Sequence, residues 1–345
     1  MNMRKLALKL LSTSYLLIIL VAVTSCNNDD ETDLVGNWVN RKFSFEGRGR
    51  SNAISFVIDS KAYIVGGYDG EEREYLNDAW SFNPENKQWT LIDSLPKSCK
   101  GRVNAIGFSI NGKGYYGLGF DGNAKLKDFW EYDPSTNKWT QLNDFEGTAR
   151  YGATAFSIGG KGYVVGGYDG AHLKDLWEFD PTTGSWLKKT SLPGNKRKFA
   201  SVFVIDNKAY VFGGIYNGDI VEDFYAYDPT TDTWEEKRDV ADNSSDGYDD
   251  DYVSIAREYA ATFVINGLGY VATGEIVSGL ISKLWEYDPS TDLWKEKTGF
   301  EGSSRICGVG LTLNDKCYVL LGKSSSYYYD DIWEFEPFAT YESED

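Results

Sequence analysis

Apolar and polar positions alternate along this chain in short runs. Between Ser51 and Asp93 they form four stretches, Ser51 to Asp59, Ala62 to Tyr68, Asn77 to Asn83 and Lys87 to Asp93, each carrying β-branched or aromatic residues. A two-residue period with that composition predicts half-buried strands, and the Gly, Asn and Pro residues between them predict tight reversals. The segment therefore reads as four antiparallel strands, here called a to d. Strand a holds Phe56 and Ala53 at positions of opposite parity. They fall on opposite sheet faces, so a bulky face is expected to pack into a small one on the next unit.

The pattern recurs six times. Tyr63, Tyr115, Tyr163, Tyr210, Tyr270 and Tyr318 follow one another at 52, 48, 47, 60 and 48 residues, and four positions after each stands Gly67, Gly119, Gly167, Gly214, Gly274 or Gly322. An aromatic column follows in strand c (Trp80, Trp130, Trp177, Tyr225, Trp285, Trp333), and a second in strand d (Trp89, Trp139, Trp186, Trp234, Trp294). Between them, turns such as Asp133-Pro134, Asp180-Pro181, Asp228-Pro229 and Asp288-Pro289 pre-set the φ of a reversal. Six four-stranded units in series predict an all-β, six-bladed β-propeller over residues 37–338. The sixth copy stops at Glu336-Pro337 without a d strand, whereas Asn37-Trp38 to Phe45-Glu46-Gly47 stands alone before the first copy. Phe145-Glu146-Gly147 and Phe300-Glu301-Gly302 repeat that motif. The N-terminal segment is thus expected to close the last blade, leaving no open ring edge.

The Tyr and Gly-Gly columns, the paired Trp columns and the Asp-Pro turns resemble the Kelch repeat family over about 300 of the 345 residues. That resemblance implies the propeller fold. It leaves function open, because propellers host enzymes, adaptors and receptors alike.

The formal charge of −17 argues against nucleic acid as a partner. Arg4, Lys5 and Lys9, then the mostly apolar run from Leu10 to Val23, read as a targeting segment, and that run is short of a bilayer span. Val23-Thr24-Ser25-Cys26 resembles a bacterial lipoprotein signal, which implies cleavage after residue 25 and a diacylglycerol on Cys26. Residues 26–36 form an acidic tether that resembles the export signal of Bacteroidetes surface lipoproteins, and residues 339–345 an acidic tail. The expected location is the outer membrane or surface of a Gram-negative cell, with the lipid as the sole membrane contact. Cys99, Cys307 and Cys317 have no metal or disulfide spacing and are expected to pack in the core.

In such blades the b–c and d–a connections share one face, and here they are the longer ones, so binding is expected there. Thirteen residues before each Tyr stands an arginine: Arg50, Arg102, Arg150, Arg197, Arg257 and Arg305. One reading is a ring of guanidinium groups at the channel mouth, gripping carboxylates or phosphates. In Kelch adaptors of ubiquitin ligases, arginines of the corresponding column contact acidic peptides. The other reading follows from parity: Arg50 shares the face of Phe56, so the column points between blades and bonds carbonyls of the neighbouring blade. Asp69, Asp121 and Asp169 are expected to form turns, and Asp78, Asp128, Asp175, Asp223 and Asp331 to bond loop backbone. In the longest d–a loop, Asp242-Asn243-Ser244-Ser245-Asp246-Gly247 has the opening of a calcium loop, with Asp242 and Asp246 as candidate ligands but no later bidentate Glu. No other cofactor is expected. A single His172 excludes the copper chemistry of galactose oxidase, which resembles this repeat. The first functional expectation is a binding module for a protein or an acidic glycan. The alternatives are a mutarotase resembling the sialic acid mutarotases, using Glu258 beside Arg257 for proton transfer, and a structural envelope component.

Overall fold

The computed structural model describes residues 34–245 and 247–342. Sequence repeats one to five each fold as one four-stranded antiparallel sheet, and the sixth supplies three strands of another. In blade 1 the strands are Ile54–Ile58, Lys61–Val65, Ala79–Asn83 and Gln88–Leu91. Blades 2 to 5 repeat that order, with strands a at Ile106–Ile110, Thr154–Ile158, Ser201–Ile205 and Ala261–Ile265. The strands are shorter than the alternation suggests. Asn52 at φ +56° breaks the start of strand a, and Gly66 and Gly67 at +65° and +99° end strand b. Among the described residues there is no helix long and apolar enough to cross a membrane.

Blade 6 is built from both ends of the domain. Val309–Leu313, Lys316–Leu320 and Asp331–Glu336 supply strands a to c, and Asn37–Ser44 supplies strand d. Asn37 pairs with Glu336 and Trp38 with Phe335, with an irregularity between Asn40 and Ser44. Trp38 is the sixth member of the d-strand column. Its ring lies 4.8 Å from Phe335, as Trp89 lies 4.9 Å from Phe82 and Trp139 5.0 Å from Tyr132. Such pairs contribute about 0.5–1.5 kcal/mol beyond area burial. Arg41 adds ion pairs to Glu334 and Glu336.

The six a strands neighbour one another around the axis, and six apolar clusters fill the six blade interfaces. The bulky strand-a column meets a partner other than the expected one. A Cβ on Gly114 would lie 2.3 Å from Phe56, one on Gly162 2.3 Å from Phe108, and one on Gly269 2.7 Å from Phe203. Large residues therefore seat on the small residue preceding the Tyr of the next blade's strand b. The small strand-a column (Ala53, Ala105, Ala153, Ala200, Ala260, Gly308) lines the axial cavity instead.

Candidate binding face

The b–c connections lie beside the starts of the a strands, as isolated bridges such as Ser51 to Tyr68, Tyr151 to Tyr168 and Glu258 to Glu275 show. Each of these bridges is set by the arginine that precedes it. Nη1 of Arg50, Arg102, Arg150, Arg197, Arg257 and Arg305 donates to the carbonyl sixteen residues on, at 2.8 to 3.3 Å, which holds strand b of the same blade. The main-chain carbonyl of each arginine then accepts from the Gly-column N–H of the preceding blade. Gly67 reaches Arg102 at 3.0 Å, and Gly322 reaches Arg50 at 2.8 Å to complete the circle. That Gly sits at φ +82° to +99°, and a Cβ on Gly67, Gly119 or Gly322 would lie 2.7–2.8 Å from a backbone oxygen. The residue before it tolerates Leu118, Thr273 or Leu321, which explains why only the second Gly is invariant among the copies.

The arginines are closed off from solvent, between 0% and 2% exposed. Arg102 and Arg150 grip Asp128 and Asp175 through both nitrogens at 2.6–2.9 Å, and Arg50 and Arg305 grip Asp78 and Asp331 in the same way. Arg197 pairs with Asp223. The second oxygen of four of these aspartates also accepts the indole N–H of Trp80, Trp130, Trp177 or Trp333 at 2.7–2.8 Å. Phe45, Phe145 and Phe300 of the recurring Phe-Glu-Gly motif cover three guanidinium groups at 4.9–5.0 Å.

This geometry corrects two expectations. No open ring of guanidinium groups surrounds the mouth, because all six are buried, five of them paired with an aspartate of their own blade and Arg257 held by carbonyls. Asp78, Asp128, Asp175 and Asp331 bond arginine and tryptophan side chains, where loop backbone was expected, whereas Asp223 bonds Arg197 and also accepts the loop N–H of Asn195 at 2.9 Å. The parity reading holds in part: the arginines do bond carbonyls, but those of their own blade.

Blade 5 departs from the rule. Lys283 occupies the aspartate position, and the long d–a loop compensates. Ser254 accepts from Arg257 through its carbonyl and from the Trp285 indole through Oγ at 3.0 Å, while Lys283 O and Ile255 O take further guanidinium protons. Burial lowers the Arg257 pKa to about 9, with Glu296 pulling it back. The loop is pinned further by Tyr252, whose Oη accepts the Trp294 N–H at 2.7 Å.

Within that loop Asp246 lies outside the described residues, as do Cys26 and the targeting segment. The carboxylates that converge are Asp242, Asp249 and Asp250, with oxygens within 4.8 Å of one another. Asp249 is buried and accepts from Ser244 N, Ser244 Oγ and Asn243 N, and these bonds organise the loop around it. Asp69, Asp121 and Asp169 cap their turns as expected, accepting from Glu71, Asn123 and Ala171 N–H groups.

What lines the axial mouth is the residue two places after each arginine: Asn52, Asn104, Gly152, Phe199, Tyr259 and Cys307. All six are left-handed, with φ between +51° and +65°. Four backbone bonds join neighbouring members, for example Phe199 N to Gly152 O at 2.8 Å. The cavity they frame is about 160 Å³ and has no charged lining residue. Around it on blades 3 to 5 lies an aromatic patch that the repeat alignment did not single out. Phe199 stacks on Tyr259 at 4.1 Å, and Tyr151 lies between Phe199 and Tyr168. His172 lies between Tyr168 and Tyr216. Lys198 Nζ sits 4.9–5.5 Å from the rings of Phe199, Tyr168 and Tyr151. Burial first, and the neighbouring Glu275 second, raise the Glu258 pKa above the usual carboxylate range, against the pull of Lys198. His172 is shifted down by burial and by Lys198.

The chain matches the KLHDC2/KLHL20/DRC7 Kelch-repeats domain over residues 33–167 and 143–247, more than half its length. It belongs to this Kelch-repeat family. No curated protein matches the chain, so the mutarotase alternative gains no support from a relative. In this Kelch propeller the Arg–Asp pairs make a specific prediction. Burial alone would raise the Asp175 pKa, but the hydrogen bonds and charge of Arg150, with the Trp177 N–H, outweigh it and lower it. A depressed folded-state pKa contributes stability above the unfolded value near 3.9, and that contribution is lost as pH falls through the folded value. Asp175→Asn is expected to destabilise by about 3–5 kcal/mol at pH 7. Its urea midpoint should fall less steeply than wild type's between about pH 4 and pH 2. Equal slopes would show that the pair does not carry this linkage.

Proposed function

We propose that this Kelch propeller is a protein-binding module of the bacterial cell envelope, taking a partner segment at the axial mouth of its b–c and d–a face. The observation that carries the reading is the pair Phe199 and Tyr259. A bulky residue at φ +60° or +55° is unfavourable. Of the four other equivalent positions, Asn52, Asn104 and Gly152 suit that conformation and Cys307 is small. Nothing in the ring's backbone bonding calls for an aromatic there, and both rings line the mouth, whereas Leu118 and Leu321, which share this conformation, are buried in the scaffold. The two rings lie beside Lys198, Tyr151, Tyr168, Glu258 and Glu275, a mixture of aromatic and charged groups that suits peptide recognition. The acidic-glycan reading rested on exposed arginines, and their burial removes its basis.

The test is selection of peptides on the immobilised full-length protein, followed by titration of the winners. Tyr259→Asn and Lys198→Ala are each expected to weaken binding at least tenfold. Tyr259→Asn should hold folding stability within about 1 kcal/mol, because it relieves a strained φ. Lys61→Ala, on the opposite face, should leave affinity unchanged. Winners indifferent to both mouth substitutions would contradict the reading.

The envelope location is supported by Val23-Thr24-Ser25-Cys26. Mass spectrometry of the protein from a Gram-negative host is expected to find a diacylglyceryl Cys26 as the first residue, and Cys26→Ser to remain uncleaved. An unmodified Cys26 would refute the anchor.

A further inference from the structure

A second concave surface lies away from the axis, where the long d–a loop between blades 4 and 5 runs beside the ribbons of their b–c connections. Its floor and rim are apolar: Ile220, Val240, Tyr252, Val253, Ile276 and Val277 enclose about 540 Å³, within the range of sites that take ligand-sized groups. The lining shares no residue with the axial cavity.

The floor is rigid. Tyr252 is buried and bonded to the Trp294 backbone in both directions, Val240 N donates to Glu222 O at 2.9 Å, and Ala256 N donates to Val240 O at 3.3 Å. The rim is different. Val277 is 91% exposed and Val253 66% exposed, the two most exposed valines flanking one groove. Neither is needed by the fold, and solvent-facing apolar side chains grouped over a concave floor mark interaction surfaces.

Charge identifies the occupant. The two ionisable side chains in the lining besides Tyr252 are Glu222 and Asp242, both exposed acids, and no Lys or Arg lines the groove. Asp219 on the adjoining ribbon and Asp250 and Asp251 in the loop add further exposed acids. An acidic partner would meet repulsion here on a chain of formal charge −17.

We infer that this groove docks a short partner segment carrying apolar side chains with flanking lysine or arginine, independently of the axial mouth. The apolar side chains fill the space between Val253 and Val277, and the cations meet Glu222 and Asp242. Because rim charges steer encounter more than they hold the complex, association is salt-dependent while the apolar floor sets residence time.

The experiment titrates fluorescent decapeptides of alternating valine and lysine, of alternating valine and glutamate, and of alternating serine and lysine onto the full-length protein. The valine–lysine peptide is expected to bind at least tenfold more tightly than either other peptide. Val277→Lys should weaken it at least tenfold, and Glu222→Lys should weaken it and flatten its salt dependence. The exposure of both side chains keeps these variants folded, and Tyr259→Asn at the axial mouth should leave this binding unchanged. Equal binding of the glutamate peptide, or indifference to Val277→Lys, overturns the proposal. Self-association in sedimentation velocity that Val277→Lys abolishes would assign the groove to a second copy of the chain and overturn it as well. Loss of binding in Tyr259→Asn alone would place the peptide at the mouth.

Discussion

One buried guanidinium per blade organises this molecule. Its side chain ties strand a to the end of strand b and to the residue that opens strand c, and its carbonyl receives the next bond around the ring from the preceding blade's glycine. A charge so placed is costly to desolvate, and its aspartate repays that cost only with close two-point geometry. The gain is specificity. A blade that slipped register would strand the cation in an apolar interior, so pairing and ring closure are enforced together.

Blade 5 shows what happens when the aspartate is lost. Arg257 keeps its position because Ser254, Ile255 and Lys283 offer carbonyls, and the loop that brings Ser254 has grown beyond the others. Scaffold repair and surface elaboration thus share one segment. The residues that satisfy Arg257 also hold Tyr252 and Val253 beside the blade 5 ribbon and create the off-axis groove. A departure from the repeat in the core and a distinctive surface feature are two consequences of the same insertion.

The fold was legible because repetition averages out local ambiguity. Six concordant Tyr, Gly and Trp columns define strand boundaries that one copy would leave vague, and the missing d strand of copy six pointed to Trp38. Site chemistry was harder to read for the same reason. A residue type conserved across the six copies, such as the arginine, serves what the copies share, which is the scaffold. Parity placed Arg50 on the face of Phe56, yet alternation does not reveal that Asp78 closes back over it. The distinguishing side chains occupy a column where the copies disagree: Asn52, Asn104, Gly152, Phe199, Tyr259, Cys307. Two bulky aromatics at a position that elsewhere holds Asn, Gly and Cys are the signal that a search for departures from the repeat would find.

The arginine column is structural and inaccessible to solvent. Phenylglyoxal modification of the native protein, followed by peptide mass spectrometry, tests it directly. Arg48, Arg73 and Arg238, which are exposed, should react within minutes, whereas Arg50, Arg102, Arg150, Arg197, Arg257 and Arg305 should react only after unfolding. Labelling of Arg150 in the folded protein at the rate of Arg73 would contradict the account.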